Sequence, residues 1–199
     1  MNLEGYRDLF LVGGLTAVLI VALPGLSVVV PIQRSQERYS ELWLLGPERI
    51  PPNSPLNVTA EVAQGPIHIS VGNYMGSSML YTVHVKLSNH TQPTPNTANA
   101  EVDSASPMYE FQFLLADRET WETSLTFIIE DASFEEDYSS VSRISINDYS
   151  FSVDLDSSWD TQHKGFYYHL LVELGTYSEN LHNFQHHTLF AGIWLNVTG

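Results

Sequence analysis

Residues 166–174 read FYYHLLVEL. Phe166, Tyr168, Leu170, Val172 and Leu174 occupy every second position, with Tyr167, His169, Leu171 and Glu173 between them. Successive side chains of a strand point to opposite faces, so this period of two predicts a strand, the longest alternation in the chain. The same pattern recurs on either side of it. Tyr81, Val83, Val85 and Leu87 alternate with Thr82, His84, Lys86 and Ser88, which reads as a half-buried strand. Ile67, Ile69 and Val71 alternate with His68 and Ser70, and Leu125, Phe127 and Ile129 with Ser124, Thr126 and Ile128. Tyr149, Phe151, Val153 and Leu155 make a further strand, and residues 190–197 a terminal one.

Polar or Pro/Gly-rich stretches separate these strands at 47–55, 72–78, 89–107 and 157–165. No soluble helix and no internal repeat stands out. Residues 89–107 are polar enough to form a loop or hairpin tip. Seven or more short strands broken in this way predict a mainly β fold, an Ig-like antiparallel β-sandwich.

The N-terminal part differs. Residues 9–32 hold no charged side chain over 24 positions. As a helix they reach roughly 36 Å at about 1.5 Å per residue, enough to span a hydrocarbon core of about 30 Å. A cleaved signal peptide has a shorter apolar core followed by a small-residue cleavage site, and this run has neither. The expected organisation is a tail at 1–8, a single transmembrane helix at 9–32 that Pro24 kinks, and a β-sandwich domain at 33–199.

Two signals bear on orientation. Arg34, Arg38 and Arg49 follow the run and only Arg7 precedes it, which favours a cytoplasmic domain under the positive-inside rule. Three N-x-T sequons favour the outside: Asn57-Val58-Thr59, Asn89-His90-Thr91 and Asn196-Val197-Thr198. The reading adopted is an extracytoplasmic domain with Asn57, Asn89 and Asn196 as glycan acceptors.

The chain carries 23 acidic and 8 basic residues, a net charge of −15. All but Glu4, Asp8 and Arg7 lie beyond the apolar run. Such a surface repels nucleic acid and is compatible with basic partners, cations or high salt. Lys86 and Lys164 are the only lysines, so a halophilic source is a further expectation. No cysteine is present, which excludes disulfides, thiolate nucleophiles and cysteine-ligated metal.

Tyr39, Glu41, Trp43, Leu45, Gly46 and Pro47 in YSELWLLGP precede a P-x-N-x-T motif at Pro55, Asn57 and Thr59. Ile69, Val71 and Asn73 are then followed by Tyr81-Thr82-Val83, Val85 and Leu87. In these motifs the chain resembles an archaeal membrane-protein family catalogued as domain of unknown function 1616. The stretches at 121–127 and 189–197 are also similar, whereas the acidic stretch 131–164 is extra and members with several spans differ from the single span here. The resemblance implies an archaeal, envelope-facing β domain and no catalytic residues. Read physically, Gly46-Pro47 ends a strand in a turn, and Trp43 and Leu45 share a strand face that should pack into the core.

Candidate chemistry is sparse. His182, His186 and His187 form the densest imidazole cluster but lack a carboxylate partner in sequence. Asp154, Asp156 and Asp160, and the run Glu130, Asp131, Glu135, Glu136 and Asp137, offer oxygen ligands without EF-hand spacing. A solvated acidic surface accounts for both groups, and no metal site or cofactor is expected. G-x-S-x-G, H-E-x-x-H, P-loop and G-x-G-x-x-G motifs are absent, so the chain does not read as an enzyme. Trp43, Trp121, Trp159 and Trp194 would suit a carbohydrate platform if exposed, and core packing otherwise. The functional expectation is a membrane-anchored cell-envelope protein with a structural or interaction role. Its partners would be the bilayer through 9–32 and other envelope proteins; the alternative is a cation- or glycan-binding surface module.

Overall fold

The computed structural model describes residues 37–51, 55–92 and 105–199, apart from the side chains of 186–188. The tail 1–8, the apolar run 9–32 and Arg34 lie outside the described residues. Among the described residues no helix is long and apolar enough to cross a membrane.

Ten strands follow one another: β1 (Tyr39–Leu45), β2 (Leu56–Thr59), β3 (Gln64–Tyr74), β4 (Met79–Asn89), β5 (Tyr109–Leu115), β6 (Thr120–Phe134), β7 (Tyr138–Ile146), β8 (Tyr149–Asp160), β9 (Gly165–Ser178) and β10 (Asn183–Thr198). They hydrogen-bond in the order β1-β3-β6-β7-β8-β9-β10-β2, with β4 inserted between β9 and β5 on a branch. The result is a single sheet curled into a half-barrel. The bend falls at β8, whose first part pairs with β7 while Trp159 and Asp160 pair with Phe166 and Gly165 of β9. Every ladder is antiparallel except β2–β10, which is parallel.

The mainly β prediction holds, and the inward residues are those that the alternation selects. Ile67, Ile69, Val71, Tyr81, Val83, Val85, Leu125, Phe127, Ile129, Tyr168, Leu170, Val172 and Leu174 are all fully buried in one core. Each such Val, Leu or Ile contributes about 1.5–3 kcal/mol relative to exposure. Turn chemistry sets the register. Asn147 and Asp148 join β7 to β8 with φ of 48° and 68°, as a two-residue type I′ hairpin requires. Gly46 and Pro47 do end β1: Arg49 N–H donates to Gly46 O (2.9 Å) and Gly46 N–H to Ile50 O (2.8 Å).

The structure departs from the sequence reading in several places. Trp43 is 56% exposed, and Leu42 and Leu44 pack on the core instead. The alternation of β1 is real, but the apolar residues occupy both faces, so composition alone does not say which face is inward. The strand at 81–88 is buried on both faces, not half-buried, and so is β9. Their polar faces close over paired groups: Lys86 Nζ lies 2.8 Å from Glu173 Oε2, and Thr82 Oγ1 donates to Glu110 Oε1 (2.8 Å). Strands β2 and β7 emerge from segments that lack a long apolar alternation, whereas β5 has one, Tyr109, Phe111, Phe113 and Leu115, that the sequence reading passed over. The break at 157–165 is shorter than expected, because β8 continues to Asp160. The final strand begins at Asn183, so the stretch around His182 to His187 is mostly strand rather than loop.

Candidate recognition cleft

Asp160 organises the turn between β8 and β9. Its Oδ1 accepts hydrogen bonds from the backbone N–H of Gln162 (2.8 Å) and His163 (3.0 Å). Its carbonyl accepts from Lys164 N–H (2.7 Å), with Lys164 at a φ of 57°. Aspartate suits this place because its short carboxylate reaches backbone donors two and three residues on. Asp160 Oδ2 lies 2.8 Å from His163 Nδ1. The His163 ring first, and then the backbone bonds, hold the Asp160 carboxyl down to about 2.

The alternation of β9 carries Tyr167 and His169 to the face opposite the core. Tyr167 Oη donates to His163 O (2.9 Å), and the two rings meet edge-on with centroids 6.0 Å apart. In the β9–β10 ladder Tyr167 faces Asn196 and His169 faces Trp194. His169 and Trp194 stack at 4.5 Å with 16° between planes. Gly192 allows this, since a Cβ there would collide with the His169 ring. His90, just past β4, has ring nitrogens 3.2 Å from Ser157 Oγ and 3.2 Å from Ser158 Oγ. A cavity of about 740 Å³ is lined by Pro55, His90, Asp160, His163, Tyr167 and Trp194.

Two aromatic side chains beside a fixed carboxylate and two imidazoles can bind a ligand that has both an apolar face and hydrogen-bonding edges. The hydrogen bonds do not form a triad. Within the cleft the serines bond to His90 and the carboxylate to His163, so neither of these imidazoles joins a serine to an acid as a triad does.

The residues singled out from sequence are mostly dispersed. Trp194 lines the cleft, whereas Trp43 is exposed on β1, Trp121 stacks on Phe113 and Trp159 meets Phe166 edge-on at 5.0 Å. Asp154 and Asp156 are exposed on β8, and of the three aspartates only Asp160 joins the cleft. Glu130 accepts a hydrogen bond from Ser150 Oγ, while Asp131, Glu135, Glu136 and Asp137 are exposed along β6 and the turn into β7. His182 sits in the β9–β10 turn, and the side chains of His186 and His187 lie outside the described residues. Among the described residues no group of three or more metal-binding side chains gathers.

Of the three sequon asparagines, Asn89 is fully engaged. Its Nδ2 donates to Asp156 O (2.7 Å), and its Oδ1 accepts from Thr91 N (3.0 Å), Thr91 Oγ1 (2.8 Å) and Gln92 N (3.0 Å). Asn57 and Asn196 lie side by side in the β2–β10 ladder.

A family model described as a domain of unknown function, DUF1616, matches residues 33–136. The chain belongs to that family. The match to DUF1616 covers β1 to β6 and stops inside the acidic turn before β7. Of the cleft residues, Pro55 and His90 fall within the DUF1616 segment, while Asp160, His163, Tyr167 and Trp194 lie beyond it. No curated protein matches the chain.

Sequence reasoning missed the cleft because its residues come from separate strands and turns. One local signal was available: an aspartate three residues before a histidine, between strands, is an Asx-type turn with its own imidazole partner.

Proposed function

We propose that this DUF1616 chain is a membrane-anchored protein of an archaeal, salt-adapted cell envelope, with a structural or protein-interaction role. Residues 9–32 are the anchor, and the β domain stands outside the membrane as a glycoprotein, with its glycan acceptors among the asparagines of the three sequons. In this reading the curled sheet is an Ig-like sandwich, its two ends folded over the shared core. One observation carries the proposal. Strand β1 is an edge strand that begins seven residues after the apolar run, and it exposes Tyr39 and Trp43. Open edges and exposed aromatics favour pairing with another chain. The acidic surface adds selectivity for basic partners.

The cleft favours a second reading, a glycan-binding surface module. Sugars bind where an aromatic face meets carboxylate and imidazole edges, and Tyr167, Trp194, Asp160 and His163 supply these groups.

Two experiments test the readings. Protease digestion of intact cells should release the domain, and protection until lysis would refute the outward placement. A photo-crosslinking residue at Trp43 should then trap one stoichiometric membrane-protein partner. Capture of none, with quenching of Trp194 fluorescence by envelope oligosaccharide, would move the conclusion to the glycan module.

A further inference from the structure

Leu56-Asn57-Val58-Thr59 and Leu195-Asn196-Val197-Thr198 are the same tetrapeptide. The fold lays one copy against the other, parallel and in register: Leu195 faces Leu56, Asn196 faces Asn57, Val197 faces Val58 and Thr198 faces Thr59. Identical side chains therefore stack across the ladder. Val58 and Val197 are buried in the core, so the asparagines share the opposite face. Asn196 Nδ2 donates to Asn57 Oδ1 at 3.1 Å, one rung of an asparagine ladder.

The two amides are not equivalent. Glycan attachment uses Nδ2. The Nδ2 of Asn196 is engaged by Asn57, and its Oδ1 is closed against Gly165, where a Cβ would collide with it. Asn57 is exposed, lies on the edge strand β2 and gives only its oxygen to the pair. We propose that the folded domain accommodates one glycan at this pair, on Asn57, and that Asn196 is a structural asparagine despite its sequon. Two pyranose rings side by side need more room than the roughly 4.8 Å between neighbouring strands. A glycan on Asn196 would also break the 3.1 Å bond and force the side chain away from Gly165.

This inference rests on the outward, glycosylated reading. The chemistry is transfer from a lipid-phosphate-linked oligosaccharide. Nδ2 forms a bond to the sugar C1, the C1–O bond to phosphate breaks, the lipid phosphate leaves and the amide gives up one proton.

The test is site occupancy, by glycopeptide mass, in folded full-length chain extracted from membranes of a glycosylating host. Wild type and Thr198→Ala should carry glycan on Asn57. Thr59→Ala, which removes the sequon at Asn57 but keeps its side chain, should leave Asn196 bare in the protease-resistant fraction. Folded molecules with glycan on Asn196, alone or with Asn57, would overturn the inference and leave the glycoprotein reading standing. Bare asparagines at all three sequons would overturn both.

Discussion

The indole of Trp121 lies flat on the ring of Phe113, with centroids 3.9 Å apart and 12° between planes. Trp121 belongs to β6 and Phe113 to β5, which are not hydrogen-bonded to each other. Phe111 approaches the same indole edge-on at 5.3 Å, and Tyr109 meets Phe151 of β8 at 6.2 Å. These contacts join β5, at the end of the β4 branch, to β6 and β8 by side chains alone. Trp121→Ala should therefore destabilise the domain by about 3–5 kcal/mol. Urea denaturation measures this; a loss below about 1 kcal/mol would mean that β5 is held over β6 without the stack.

Asn73 is a buried polar hub. Its Nδ2 donates to Ser77 O (2.9 Å), Leu115 O (3.0 Å) and Ala116 O (3.0 Å), and its Oδ1 accepts from Met75 N (3.0 Å) and Tyr81 Oη (3.1 Å). Asn73→Ala takes a donor from three carbonyls, of which Ala116 O keeps Glu119 N–H (3.2 Å) and Leu115 O is buried, at about 1–3 kcal/mol for a buried group so stripped. Asn73→Asp should be worse, because it turns a carboxylate toward three carbonyl oxygens. Thermal unfolding of both variants at neutral pH should rank wild type above Ala and Ala above Asp.

Lys86 and Glu173 form an ion pair between neighbouring strands at 2.8 Å, with side chains only 5% and 7% exposed. Removing either partner strands a buried charge, so Lys86→Met or Glu173→Leu alone should cost about 3–5 kcal/mol. The double variant should recover most of that loss, since an apolar pair of similar volume avoids desolvating two charges. A double-mutant cycle reads this directly, and additive losses would show that the two side chains act independently.

The Asp160 carboxyl is held at about 2 by His163 and by backbone N–H groups of the turn. A carboxyl with a lowered folded-state pKa contributes stability above its unfolded pKa and loses it as pH falls through the folded value. The turn around His163 should thus keep its form through mildly acidic pH and loosen only as pH approaches 2. Carbon-13 titration of the Asp160 carboxyl checks this, and a midpoint in the ordinary aspartate range would refute it. Asp160→Asn keeps the Oδ1 acceptor but loses the charge facing His163, so the ring resonances of Tyr167 should shift even at neutral pH.

The sequence by itself determined the strand character and the core. The period of two at 166–174, 81–88, 67–71 and 124–129 names the residues that fill the interior, because a pleated strand separates its faces without help from the rest of the chain. It also determined the turn after β1 and the family membership. Tertiary structure alone decided which face of β1 is inward, since Trp43 and Leu44 are both apolar and only the sheet beneath β1 distinguishes them. It likewise decided that His90, Asp160, His163, Tyr167 and Trp194 share one cavity, and that two identical tetrapeptides 139 residues apart lie side by side. Such juxtapositions arise from strand order and register. These depend on how the whole sheet curls over its core, and no local pattern encodes that curl.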